Sequence, residues 1–286
     1  MSGHAAPKAC VAGWPVDHSR SPLIHSHWLQ KLGVEGSYGK TAVPPGQFAA
    51  FAEGIGKDGL VGANVTIPHK EAAFAACDWV TAHAADLGAV NTLWRANGKL
   101  CGDNTDVAGF LANVDEQAPG WRGETPSAIV LGAGGAARAI VRGLASSGVK
   151  RIVIVNRTPD RADRIALQYG AGVQSAPWSA LPGLLAGADL LVNTSSLGMV
   201  GQPGLDIDLT PLHARAIVAD IVYIPLETPL LAAARSRRLR AVEGLGMLLH
   251  QASPGFERWF GVRPMVTSEL RALIEDDILR SAREKK

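Results

Sequence analysis

Short apolar runs alternate along this chain with segments whose apolar positions recur every three or four residues, the two periods of strand and helix. KACVAG, SYGKTAV and GLVGANVTI carry the strand pattern, SPLIHSHWLQKLG and GQFAAFAEGI the helical one. In the first helix Ile24, Trp28 and Leu32 fall on one face and Gly33 stops it. HKEAAFAACDWVTAHAADLG stays in helical register and predicts one long helix. AVNTLWR and LCGDNT flank ANGK, and Asn97-Gly98 is a strong two-residue turn signal, so this stretch predicts a hairpin. Strands of mixed direction with helices between them predict an α/β domain that is not a plain parallel sheet.

From about Ser127 the rhythm becomes regular. SAIVLG, RIVIVN, GVQSA, ADLLVNT, AIVADIVY and RAVEG predict strands, with AARAIVRGLASSG, DRADRIALQYG and TPLLAAARSRRL as helices between them. Such βα alternation predicts a Rossmann-like, doubly wound parallel sheet. GMLLHQASPGFERWFG and TSELRALIEDDILRSAREKK predict two closing helices. EQAPGWRGETP, ahead of Ser127, has the composition of an exposed linker.

Composition narrows the chemistry. The 286 residues, 47% apolar, suffice for one large domain or two medium ones. Lys and Arg number 28 against 26 Asp and Glu, so no nucleic-acid or membrane partner is expected. The densest basic stretch, RSRRLR from Arg235 to Arg240, reads as the solvated side and end of one helix. The N-terminal stretch lacks the apolar core of a signal peptide, and no apolar run approaches the ~20 residues of a membrane span. Cys10, Cys77 and Cys101 lie too far apart for a zinc site or a disulfide framework. A soluble cytoplasmic protein is expected. No H-E-x-x-H pair and no G-x-S-x-G elbow occurs, so metal and serine hydrolase chemistry find no support and no metal site is expected.

VLGAGGAARAIV places Gly132, Gly134 and Ala137 in the G-x-G-x-x-G/A pattern, after one strand and opening a helix. Gly132 permits the tight turn, Gly134 lets a pyrophosphate approach the backbone, and Ala137 allows close helix–strand packing. An ordinary βα turn is the competing reading, but strand, loop, helix and second strand are all in register. That second strand ends in NRTPDRA, where an NAD site usually carries an acid for the ribose hydroxyl. Arg157 in that place suits a 2′-phosphate and adenine stacking, so NADP is expected over NAD.

The first half offers polar candidates. Ser21 reads as a helix N-cap with Pro22 at the first helical position, whereas Ser19 has no such explanation. Two hydroxyls beside a helix N-terminus also suit a carboxylate, although capping alone accounts for Ser21. Asn91 and Asp106 fall at the two outer ends of the hairpin, and a cap role is a sufficient reading of Asp106. Lys70, in NVTIPHK, is poorly placed against a helix N-terminal dipole.

HSRSP, NVTIPHK, GAVNTL, GDNTD, GAGGAARA, NRT, VNTSSLGM, DIVYIPLETPLL and GLGMLLHQA occur in this order. In order and spacing the set closely resembles the shikimate dehydrogenase family, over nearly the whole chain. The resemblance implies reversible NADPH-dependent reduction of 3-dehydroshikimate to shikimate by a monomer or homodimer. It implies that Ser19, Ser21, Thr66, Lys70, Asn91, Asp106 and Gln251 line the substrate site, with Tyr223 nearby. Lys70 and Asp106 address the reacting oxygen and its neighbour. It implies cofactor contacts from Gly132, Ala133, Gly134, Gly135 and Ala136, then Asn156, Arg157, Thr158 and Arg161, and finally Ile221 and Gly244. It also implies a discontinuous substrate domain, residues 1–107 with 245–286, around an NADP domain of residues 108–244, the site lying in a cleft between them. His69, Ser26 and Ala82 depart from common family residues and bear on fine-tuning of substrate. A quinate or quinate/shikimate dehydrogenase, an aminoshikimate paralogue and a non-catalytic NADP sensor are the alternatives; a sensor is expected to have lost Lys70 or Asp106.

Overall fold

The computed structural model describes residues 6–284. The start of the N-terminal stretch and the last two residues of the segment expected to form the closing helix lie outside the described residues. In chain order the elements are β1 (Lys8–Gly13), α1 (Ser21–Leu32), β2 (Ser37–Ala42), α2 (Phe48–Gly54), β3 (Leu60–Val65), α3 (Lys70–Ala76), β4 (Trp79–Val80), α4 (Ala82–Leu87), β5 (Thr92–Ala96), β6 (Lys99–Asp103), α5 (Asp106–Gln117) and α6 (Trp121–Glu124). There follow β7 (Ser127–Leu131), α7 (Gly135–Ser146), β8 (Arg151–Asn156), α8 (Pro159–Tyr169), β9 (Val173–Pro177), α9 (Leu181–Leu185), β10 (Leu190–Asn193), β11 (Ile217–Asp220), α10 (Pro229–Ser236), β12 (Arg240–Val242), α11 (Leu245–Phe260) and α12 (Ser268–Glu284). They form two compact units: the chain up to Thr105 with Gln251–Asp276, and Asp106–His250 with the chain from Asp277.

The first unit is built on a mixed sheet of order β2-β1-β3-β5-β6-β4. β1, β2 and β3 are parallel, while β5 runs antiparallel to both β3 and β6. Side chains alternate across a strand, and β1 uses both faces. Cys10 and Ala12 pack with Phe48, Ile55 and Ala73, whereas Ala9 and Val11 pack with Tyr38, Trp94 and Trp259. Trp259 comes from α11 and lies over Gly62, where any Cβ would stand 2.0 Å from its Nε1. Its N–H donates to the Leu93 carbonyl at 2.9 Å, so glycine here makes room for a bonded indole. The Asn97-Gly98 turn closes the expected hairpin with positive φ at both residues, 51° and 76°.

The second unit holds a wholly parallel sheet of order β12-β11-β10-β7-β8-β9, the doubly wound arrangement. Strands buried on both faces need continuous apolar runs. In β7, Ala128 and Val130 face one core with Ile140 and Leu144, Ile129 and Leu131 the other with Leu181 and Leu230.

Three expectations need correction. HKEAAFAACDWVTAHAADLG is not one helix: Cys77 turns extended, Trp79–Val80 pair with β6, and Thr81 caps a new helix by accepting from Ala84 N. Asp78 holds the break, its N–H donating to the Leu100 carbonyl and its carboxylate accepting from Leu100 N. EQAPGWRGETP is not an exposed linker, because Trp121 is 1% exposed and its N–H donates to Asp115 at 2.7 Å. Leu32 is exposed, so the apolar face of α1 consists of Ile24, Trp28 and Leu29.

Candidate active site

Parallel β1 and β3 end at Gly13 and Val65, and antiparallel β5 begins at Thr92 opposite Asn64. β6 ends beside them, with Asp103 opposite Thr92. Loops leaving this one edge of the first sheet carry most of the expected substrate residues. Thr66 N donates to the Ala12 carbonyl at 2.9 Å, and its methyl fills the place of a Gly13 Cβ. Lys70 is half-buried and opens α3. Its carbonyl accepts from Val90 N at 2.9 Å, while Val65 N donates to the Asn91 carbonyl at 2.8 Å. These two bonds fix Lys70 beside the Val90–Asn91 peptide.

Asn91 is 3% exposed. Its Oδ1 accepts from Thr92 Oγ1 at 2.9 Å, Thr105 N at 2.9 Å and Thr105 Oγ1 at 3.1 Å. Thr105 Oγ1 also lies 3.5 Å from Gln251 Oε1, so Asn91 and Gln251 share one hydroxyl neighbour. Asp106 follows Thr105 and starts α5, at the beginning of the second unit.

The serines exchange roles. Ser21 lies inside α1 and is buried; it is not the cap. Arg20 before it is already near-helical, with φ −93° and ψ −2°, and Ser21 N donates to Ser19 Oγ at 3.3 Å. Ser19, one residue before the N-cap Arg20, thus holds one of the orphan donors of the helix start. The two hydroxyls are 3.3 Å apart. Of the residues that depart from the family pattern, His69 is buried in the core, stacked near Phe48 with Nε2 2.6 Å from the Val43 carbonyl oxygen. His25 is a packing residue, wholly buried and stacked on Tyr38 at 3.9 Å. His250 pairs with Glu116 at 2.7 Å.

In the second unit every strand is parallel, so all loops after the strands leave one end of the sheet. That end carries the glycine loop after β7, Asn156 at the end of β8 with Arg157 and Thr158 after it, Ile221 and Tyr223 after β11, and Gly244 after β12. Strand order reverses between β7 and β10, the switch point at which open α/β sheets bind ligands. Gly132 has φ +105°, and a Cβ there would meet Thr194 Oγ1 at 2.9 Å. Nothing lies within 4 Å of a Cβ built on Gly134 or Gly135. The α7 start, Gly135 and Ala136, has no side-chain cap, and Ala137 is fully buried under it. Open backbone at a helix N-terminus fits a pyrophosphate. Asn156 braces the next turn, its Nδ2 donating to the Thr158 carbonyl at 2.8 Å. Arg157 and Arg161 are exposed there, with no hydrogen bond or ion pair to their side chains among the described residues. The residues present fit a dinucleotide with an anionic adenosine end. Gly244 is compelled by packing: a Cβ would stand 2.5 Å from the Ile221 carbonyl oxygen. Tyr223 is half-buried in the loop after β11.

Sequence reasoning missed the polar residues behind these loops. Asp220, 1% exposed, accepts from Asn193 Nδ2 at 2.9 Å, Val222 N at 3.0 Å and Thr228 Oγ1 at 2.7 Å. It thereby clamps both ends of the loop bearing Ile221 and Tyr223. Burial pushes its carboxyl up to about 6, against the pull of those donors. Asn64, Thr92 and Thr105 are likewise buried around Asn91. Their signal was the density of Asn and Thr at the hairpin ends.

Comparison with known proteins identifies the family. The family model described as the shikimate dehydrogenase substrate binding domain matches residues 11–93, and that for shikimate / quinate 5-dehydrogenase matches residues 117–200. The NADP(+) shikimate dehydrogenase of Methylocella silvestris is 56% identical over 274 residues, 96% of this chain and 98% of that protein. Among solved structures, shikimate 5-dehydrogenase of Thermus thermophilus in complex with NADP(H) and shikimate is 34% identical, with TM-score 0.83 over 96% of this chain and 99% of that one. Quinate dehydrogenase of Corynebacterium glutamicum in complex with NAD is 30% identical, with TM-score 0.87 over 95% and 99%. With such identity across nearly its whole length, the chain belongs to the shikimate dehydrogenase family.

Proposed function

We propose that this chain is an NADP-dependent oxidoreductase that reversibly reduces 3-dehydroshikimate to shikimate, in chorismate and aromatic amino-acid biosynthesis, and that it works in the cytoplasm. The observation that carries the reading is the 56% identity to an NADP(+) shikimate dehydrogenase across 96% of the chain. The first unit takes the role of substrate domain and the second that of cofactor domain. Gly132 to Ala136 and the α7 start hold the pyrophosphate, Arg157 pairs with the 2′-phosphate, and Asn156, Thr158 and Arg161 complete that pocket. Ile221 and Gly244 bound the nicotinamide end.

When bound, NADPH supplies the hydride. The chain's own task is to place the ketone and manage charge on its oxygen. Ser19, Ser21 and Tyr223 take the substrate carboxylate, while Thr66, Asn91 and Gln251 orient the ring hydroxyls. Lys70 donates to the oxygen on which charge develops, and Asp106 orients that ammonium and the neighbouring hydroxyl. No acid stands at the end of β8 to favour NAD, which separates this chain from an NAD-dependent quinate enzyme. The test is a steady-state assay of shikimate and quinate, each with NADP and NAD. Shikimate with NADP should give the highest kcat/KM, and Arg157→Gln should raise the NADP KM roughly 10- to 100-fold with little change for NAD. Preference for quinate, or equal effects of Arg157→Gln on both cofactors, would overturn the corresponding half of the assignment.

A further inference from the structure

A buried chain of hydrogen bonds runs through the first sheet to Asn91. Tyr38, on β2 and 7% exposed, donates from its hydroxyl to Asn64 Oδ1 at 2.6 Å. With its oxygen so occupied, Asn64 turns Nδ2 toward Thr92 Oγ1 and the Asn91 carbonyl, each at 3.3 Å. Thr92 then accepts from Asn64 and spends its single proton on Asn91 Oδ1, at 2.9 Å. Every bond points the same way, from Tyr38 toward Asn91. An Asn amide has one accepting and one donating end, and the neighbouring donors decide which faces where. Thr92 and Thr105 both donate to Oδ1, so whatever Asn91 does at the site it does through Nδ2, as a donor.

We propose that Tyr38 is a positioning residue for substrate: through Asn64 and Thr92 it sets the amide orientation with which Asn91 donates to a substrate oxygen. The inference rests on the reading of Asn91 as a substrate residue. Surroundings of Tyr38 suit the role. Its ring is stacked on His25, and burial pushes the phenol's pKa up, keeping it a donor at any working pH. Burial also drives His25 down to about 3, so the partner ring stays neutral. Without the Tyr38 proton the Asn64 amide is free to turn over. Its oxygen then takes the Thr92 proton, and Asn91 Oδ1 loses one of the donors that hold it.

The test is a double-mutant cycle on the full-length enzyme with Tyr38→Phe, Asn91→Ala and the pair, reading shikimate KM, kcat, NADP KM and Tm. Tyr38→Phe should raise shikimate KM about 3- to 10-fold, one neutral hydrogen bond's worth, with NADP KM unmoved. Asn91→Ala should raise it more, and adding Tyr38→Phe to Asn91→Ala should change it less than about 2-fold. Val11→Ala, in the same apolar cluster, should lower Tm without touching shikimate KM. If Tyr38→Phe yields no folded protein, Thr92→Val cuts the same relay one link on and should show the same non-additivity. An effect of Asn91→Ala with none from Tyr38→Phe, or full additivity of the two, overturns the positioning role and leaves the site reading standing. An Asn91→Ala enzyme with wild-type KM overturns both.

Discussion

Lys70 is an expensive choice for the first residue of a helix, where the backbone dipole disfavours a cation, and its carbonyl bond to Val90 holds it there. Charge builds on the substrate oxygen only as hydride arrives, so a fixed ammonium gains most at the transition state. Lys70→Ala should therefore lower kcat on the order of 10² to 10⁴ with little change in shikimate KM, measured at saturating NADP. A raised KM with intact turnover would make Lys70 a binding residue. The serines illustrate where sequence stops. Ser-Pro at 21–22 has the signature of a cap and first helical turn, yet the helix starts one residue sooner, Arg20 is the N-cap, and the Ser21 backbone proton goes to Ser19. Which of two serines two residues apart accepts the backbone proton depends on the φ/ψ of Arg20, which no spacing reveals. Ser19→Ala should thus cost roughly 0.5–1 kcal/mol in ligand-free thermal melts as well as weakening substrate binding. An unchanged Tm would show that the 3.3 Å bond contributes nothing to the fold.

Elements with one dominant period were legible: β1, α1, β7, α7, β8 and α8 all lie within a residue or two of their expected bounds, and the hairpin turn falls where expected although its first strand begins three residues late, at Thr92. The failures share a cause. From α3 to α4 helical spacing continues in the sequence, but Trp79 and Val80 gain more by pairing with β6 than by extending the helix. Trp121 in the presumed linker is likewise claimed by a core built from α5, α7 and β7. Tertiary partners decide such segments, and single-strand patterns cannot name partners. Glycines were legible in motif and opaque in reason. Gly244 looked like a cofactor contact, yet its missing Cβ first serves the crossing of β12's exit over the Ile221–Val222 backbone. Gly244→Ala should therefore cost more than about 2 kcal/mol in chemical denaturation, since backbone gives way less readily than a side chain. A stable variant that only loses NADP affinity would assign Gly244 to binding alone.

For the molecule as a whole, one buried carboxyl shapes how stability varies with acidity. Asp220 titrates near 6 in the folded chain against 3.8 in an unfolded reference. A raised acid means the folded state holds its proton longer, so between about pH 4 and 6 folded protein binds more protons than unfolded. This group's contribution therefore falls as pH rises through that window, by on the order of 3 kcal/mol, and is flat above it. Denaturation midpoints from pH 4 to 7 for wild type and Asp220→Asn should differ in slope within the window and run parallel beyond it. Equal slopes throughout would show that the three donors fully offset burial. The discontinuous first unit carries a different consequence, one that belongs to the ribosome. Its sheet is complete once β6 emerges, but Phe256 and Trp259, which pack with Trp28, Tyr38 and Trp94, are encoded after all of Asp106–His250. At roughly 5–20 residues per second that interval lasts about 7–30 s. Throughout it the nascent chain displays an aromatic face awaiting its own C-terminal part, while the second unit has the time and nearly all the sequence it needs to fold first.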